Sequence, residues 1–140
     1  MPKPIPTMQS TLSAVRVVHV VLFISLFLYL RVAEQLVHHE PRDLHGLWYA
    51  FLVVALANFG LTLYVRSKVF YPAANVLRVR PDDPDALTRW RMGNIVSSLT
   101  AATIMLYGFG LRFSGGSRMQ ALPFYNAAFI LILVWWPRRP

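Results

Sequence analysis

The sequence predicts an all-α, polytopic membrane protein: four transmembrane helices forming two antiparallel hairpins, with both termini in the cytoplasm. Three observations predict it. Mostly apolar runs occupy about residues 14–33, 46–65, 93–113 and 122–136, and a bilayer core takes about 20 apolar residues per helical crossing. The chain is 56% hydrophobic and only 14% charged, whereas soluble domains carry about 25% charged residues. Its basic residues also gather on one side of the four runs. Together the runs leave almost nothing for a soluble domain, so the 140 residues read as a single membrane domain.

The elements follow in order. Residues 1–6 hold Pro2, Pro4, Pro6 and Lys3, an irregular tail. Ser10 or Thr11 is placed to cap the first helix. The apolar core at 17–30 has the length of a signal-peptide core. Arg31-Val32-Ala33-Glu34-Gln35 lacks a small-x-small cleavage site, so a retained helix is expected, with Arg16 and Arg31 snorkelling to opposite faces. The link at 34–45 is short and polar and contains Pro41. Asp43 is the expected N-cap of the second helix, and so short a link makes the first two helices antiparallel neighbours.

The connection at 66–91 is the longest. Pro72 suits the first turn of a short helix ending near Val79, which Arg78-Val79-Arg80-Pro81 then breaks. Asp83 as N-cap, Pro84 at the first helical position and Asp85 against the dipole start another helix. That helix is expected to run unbroken to about Phe113, about 45 Å, so a turn or two projects from the bilayer. Ser114-Gly115-Gly116-Ser117 offers a left-handed glycine C-cap and then a serine N-cap. Pro123 is a kink point near the start of the fourth helix. The fourth apolar stretch is short, so local thinning or snorkelling is expected at its ends.

Orientation follows from charge. Lys3, Arg16, Arg66, Lys68, Arg78, Arg80, Arg89, Arg91, Arg138 and Arg139 fall on one side of a four-crossing topology, against Arg31, Arg42, Arg112 and Arg118 on the other. The positive-inside rule puts the richer side, with both termini, in the cytoplasm. Tyr64, Trp90, Trp135 and Trp136 then mark the cytoplasmic boundary, and Tyr29, Trp48, Tyr49 and Tyr125 the outer one. Leu30-Arg31-Val32 and Leu111-Arg112-Phe113 close the first and third helices alike, a faint internal repeat suggesting a parallel duplication of two hairpins.

The absence of cysteine excludes disulfides, thiol catalysis and cysteine-ligated metals. A net charge of +8 in a soluble chain would suggest nucleic acid. Flanking membrane segments, it points instead to anionic lipid headgroups, with no nucleic acid partner. The basic residues are arginine apart from Lys3 and Lys68, a bias that fits a GC-rich bacterial genome and hence an inner (plasma) membrane. No phosphate-binding loop, nucleophile elbow, zinc-protease motif or dinucleotide fingerprint is present. No cofactor is expected.

Polar residues at membrane depth are the first functional candidates. Asn58 lies in the second run, and Asn94, Ser97, Ser98, Thr100 and Thr103 in the third. Gly93, Ser97 and Ala101 are four apart, as are Asn94, Ser98 and Ala102, so these are small-residue packing stripes with hydroxyls bonding across the seam. The other reading is a polar path for a solute. No Asp, Glu or Lys lies deep in any run, which weighs against a proton or cation relay. His19 stands alone at its depth, and a haem held by two histidines needs a second; a packed imidazole is the simpler role. His38, His39, Glu40 and His45 form the densest metal-type cluster, but adjacent histidines rarely chelate together and no helical i, i+4 pair is present. Arg16, Arg66, Lys68, Arg78, Arg80, Arg89 and Arg91 are candidates for docking headgroups or a cytoplasmic partner.

Leu106-Tyr107-Gly108-Phe109-Gly110-Leu111, ending a helix rich in Ala, Ser and Thr, resembles the aromatic-glycine step of the proteolipid (c-type) subunits of rotary ATPases. The resemblance covers the third helix and the hairpin layout. It implies tight helix packing in an oligomer. It does not carry over ion translocation, because the matching regions at 55–58 and 129–132 lack the mid-membrane carboxylate. As a whole the chain resembles small four-helix bacterial membrane proteins. The expected role is a membrane accessory or structural subunit that packs with other subunits or with itself. The alternatives are a small transporter or channel lined by helices two and three, and a lipid-acting membrane enzyme.

Overall fold

A computed structural model describes residues 7–36 and 42–140. The described chain is all-α: α1 (Met8–Leu36), α2 (His45–Val65), α3 (Tyr71–Val79), α4 (Pro84–Phe113) and α5 (Arg118–Val134). Three helical stretches, Met8–Leu36, His45–Val79 and Pro84–Phe113, are long and apolar enough to cross a membrane, and α5 is a shorter apolar helix. The tail at 1–6, with Lys3, and the link residues His38, His39, Glu40 and Pro41 lie outside the described residues.

α1 begins earlier than Ser10 or Thr11. Thr7 caps it: Thr7 Oγ1 accepts from the Ser10 amide at 3.3 Å while Ser10 Oγ accepts from the Thr7 amide at 3.1 Å, a reciprocal cap. Asp43 does not cap α2. Leu44 holds the N-cap position without a side-chain bond, because Asp43 is drawn to the Gln120 amide at 3.2 Å and to His45.

The connection expected to begin at Arg66 does not interrupt the helix. α2 continues through one π turn, Arg66–Phe70, into α3, giving a rod of 35 residues. In the widened turn the Tyr71 amide bonds back to the Arg66 carbonyl, five residues earlier. The next residue is Pro72, which has no amide hydrogen and whose ring crowds the preceding turn. Widening the helix just before it relieves that clash without breaking the rod.

Asp83 caps α4 as expected, its Oδ1 accepting from the Ala86 amide at 2.9 Å. At the other end Gly115 has φ +94°. The Gly116 amide reaches the Leu111 carbonyl at 2.8 Å and the Gly115 amide the Arg112 carbonyl at 3.1 Å, a Schellman close that only glycine enters without strain. Ser117 caps α5 in a capping box with Gln120.

α4 is the hub: α1, α2, α3 and α5 all pack against it. Met8 bonds Asp82 and Glu34 pairs with Arg112, so α1 runs alongside α4 in the same direction. α1 and α2 do not pack closely along their lengths, contrary to the expectation from their short link. The physical reason is the small-residue surface of α4, with Gly93, Ser97, Ala101 and Gly108 all buried. Close approach to α4 is available to each flanking helix, and α1 and α2 offer one another nothing comparable. An apolar core follows the bundle through Leu26, Met105, Leu111, Phe124 and Ile132. A second core at the Met8–Asp82 end joins Leu12, Val15, Leu77, Leu87 and Trp90.

Gly108 sets the spacing of α4 and α5. A Cβ there would lie 2.6 Å from Tyr125 Cε1 and 3.1 Å from Phe124 Cβ. Gly108→Val is therefore expected to destabilise the fold by about 2–3 kcal/mol through overpacking. Chemical unfolding in micelles followed by circular dichroism measures this, and an unchanged midpoint would contradict the close α4–α5 seam.

Candidate functional site

Ser97, Ser98 and Thr100 of α4 bond both across to a neighbouring helix and back to their own backbone. Ser98 faces α1, where its Oγ lies 2.8 Å from His19 Nδ1. His19 Nε2 lies 2.6 Å from the Ile132 carbonyl. A carbonyl only accepts, so Nε2 carries a proton; the one Ser98 hydroxyl proton lies between Nδ1 and the Asn94 carbonyl of its own helix, 3.0 Å away. That is a base–hydroxyl pair in outline, but His19 and Ser98 are 1% and 2% exposed, and a reacting substrate needs room at both atoms. Trp136 stands edge-on to the imidazole at 5.1 Å between centroids. His19 is thus a packed imidazole tying three helices together.

Toward α2, Thr100 and Thr62 share a hydroxyl bond of 2.5 Å, and Asn58 Nδ2 donates to the Tyr107 hydroxyl at 2.9 Å. Asn58 therefore meets α4 at Tyr107, a residue the stripe pattern does not contain. Asn94 donates to the Trp90 carbonyl of its own helix. Thr103 is turned outward and bonds back to the Leu99 carbonyl, apart from the other hydroxyls.

The seven basic candidates separate. Lys68, Arg78, Arg80, Arg89 and Arg91 are exposed. Arg16 is exposed and donates from Nε to the Pro137 carbonyl at 3.3 Å. Arg66 differs, being only 9% exposed. Its Nη1 donates to Ser97 Oγ at 2.9 Å. Its guanidinium lies over Phe70 at 4.3 Å, with Trp135 at 5.4 Å and Tyr71 at 5.6 Å, an aromatic cage for a cation. Sequence reasoning placed Arg66 with the surface basic residues. The signal it missed is Ser97, one of the small stripe residues, which is where a helix-terminal arginine finds room to turn inward.

A second buried cation was missed altogether. Arg112 Nε faces Glu34 Oε1 at 3.3 Å, and its Nη1 donates to the Gly116 carbonyl at 2.8 Å. Arg118 adds a longer, exposed contact to Glu34 Oε2 at 3.8 Å. Arg112 and Arg31 occupy matching positions in the faint repeat, yet Arg31 is exposed.

Of the metal-type cluster only His45 is described, and it pairs with Asp43 on the exposed surface. Among the described residues no group of three or more His, Asp or Glu comes together.

No family model matches this chain, and no curated protein or solved structure matches it. The likeness to proteolipid subunits rests on the residues quoted for it alone.

Proposed function

We propose that this chain is a multi-pass membrane subunit that packs laterally against other helices, whether of partner subunits or of a second copy. It would lie in the inner membrane with both termini cytoplasmic, crossing as a tight α4–α5 hairpin flanked by α1 and α2. The observation that carries the reading is the exposure of α2. In the most apolar eighteen residues of α4, 50% are buried, against 11% for the rod containing α2. Beside it, α2 and α5 leave an apolar groove of about 350 Å³ over Ile104, with Leu56, Phe59, Pro123 and Ile130 among its walls. Packing is favoured over a solute path because His19–Ser98, Thr62–Thr100 and Asn58–Tyr107 already satisfy one another.

A photo-crosslinking residue at Leu56 or Ile130, activated in intact membranes, is expected to give a discrete protein adduct. The same probe at Val21, on the exposed surface of α1, is expected to give lipid adducts. Lipid adducts alone at all three positions would sink the proposal.

A further inference from the structure

The end of α5 and the residues after it, the π turn, α3 and Asn94 of α4 border a cavity of about 250 Å³ that opens to the surface. Arg66, Arg78, Arg138 and Arg139 line it, with Asn75 and Asn94, and no aspartate or glutamate does. Arg66 forms its inner wall, caged by aromatic rings and held by Ser97. A guanidinium carries five donors, and among the described residues Ser97 is the partner recorded for Arg66. A desolvated cation ordinarily needs an anion close by. Among the described residues none of the four arginines forms an ion pair. Asp82 lines the adjoining groove with Arg78 and Arg139, but its Oδ1 accepts from the Met8 amide. Pro140 also lines the cavity.

We propose that this cavity binds a phosphoryl group. Planar N–H forks match a tetrahedral oxyanion, and arginine is suited to it where partly desolvated. The shared chemistry is a phosphate ester or free phosphate. Trp135 and Trp136 border the cavity, and tryptophan collects at headgroup level. Basic pockets between transmembrane helices on the cytoplasmic side are where anionic headgroups seat. Arg66 supplies the fixed inner contact, and Arg78, Arg138 and Arg139 close over the outer oxygens.

The test uses the full chain in nanodiscs of phosphatidylcholine, doped with phosphatidylglycerol or supplied instead with inorganic phosphate. Native mass spectrometry reads retained lipid, and the thermal unfolding midpoint reads the response to phosphate. Preferential retention of phosphatidylglycerol is expected, falling about tenfold in Arg66→Gln, the loss of one charge-assisted contact set. If Arg66→Gln does not fold, the rim variant Arg138→Gln/Arg139→Gln carries the same expectation. A midpoint raised by phosphate without lipid preference, and lost in the same variants, supports the site with a soluble anion as its source. The proposal is overturned if the wild-type chain responds to neither. It is equally overturned if Arg89→Gln/Arg91→Gln, outside the cavity, reduces binding as much as the cavity variants, since general surface charge then suffices.

Discussion

Trp90→Ala is expected to destabilise the fold by about 4 kcal/mol, the scale of emptying a fully enclosed aromatic site. Trp90 is 0% exposed and sits where α1, α3 and α4 converge. Phe70 stacks beside it with centroids 6.4 Å apart, and Leu12, Val15, Leu77 and Leu87 complete its surroundings. α1 is far in sequence from α3 and α4 and packs on both, so no single helix shift refills the void. Trp90→Phe makes the test sharper. The indole Nε1 is buried without a hydrogen-bond partner, so phenylalanine removes an unsatisfied donor along with some volume. That change is expected to cost less than about 1.5 kcal/mol. Urea unfolding in micelles, followed by far-ultraviolet circular dichroism, measures both. Equal losses for the two variants would show that ring packing is not what holds the end of the bundle.

Glu34→Ala is expected to cost about 3 kcal/mol, the lower end of what breaking a buried ion pair costs. The Arg112 side chain is 11% exposed and that of Glu34 28%, so water reaches the pair from one side and moderates the loss. What remains is a guanidinium whose Nη1 still bonds the Gly116 carbonyl while Nε has no counter-charge. Arg118→Ala provides the contrast. Its side chain is 71% exposed and 3.8 Å from Glu34, a surface pair worth less than about 1 kcal/mol. Thermal unfolding in nanodiscs compares the two, and similar losses would contradict the burial argument. The effect is also expected to be local: Arg42 bonds the Gly115 carbonyl at 2.7 Å, so loosening Arg112 frees the α4–α5 turn and the segment that leads into α2.

Much of the fold was legible because it depends on neighbours in sequence. Asp83-Pro84-Asp85 starts α4 at Pro84, and α4 ends at Phe113 as expected. Gly115 and Ser117 close and reopen the helices at the expected residues. Pro72 opens α3 and Val79 ends it. The failures involve competition that local rules do not see. Asp43 is a good cap by type, but His45 and Gln120 reach it first. The connection expected from Arg66 is instead continuous helix, because a π turn just before Pro72 accommodates the proline. The packing stripe on α4 was readable from four-residue spacing, as was the burial of Ser97 and Ser98. Its partners were not, because Arg66 and His19 are assigned by the rotation and depth of whole helices. Glu34 and Arg112 lie 78 positions apart, and nothing in either local stretch announces the other.

The unbroken passage from α2 through the π turn into α3 has a mechanical consequence. A continuous helical stretch of 35 residues is about 52 Å long, with one π turn, Arg66–Phe70, between the part suited to the bilayer and the part beside Trp90. A tilt imposed on α2 reaches α3 through that turn, which itself packs on α4. Arg66 opens that turn, and Arg78 lies in the last turn of α3 beyond it. The face of α2 proposed for lateral packing and the arginine cavity proposed for an anion therefore belong to one continuous helical stretch, so what touches the first is carried along the backbone to the second.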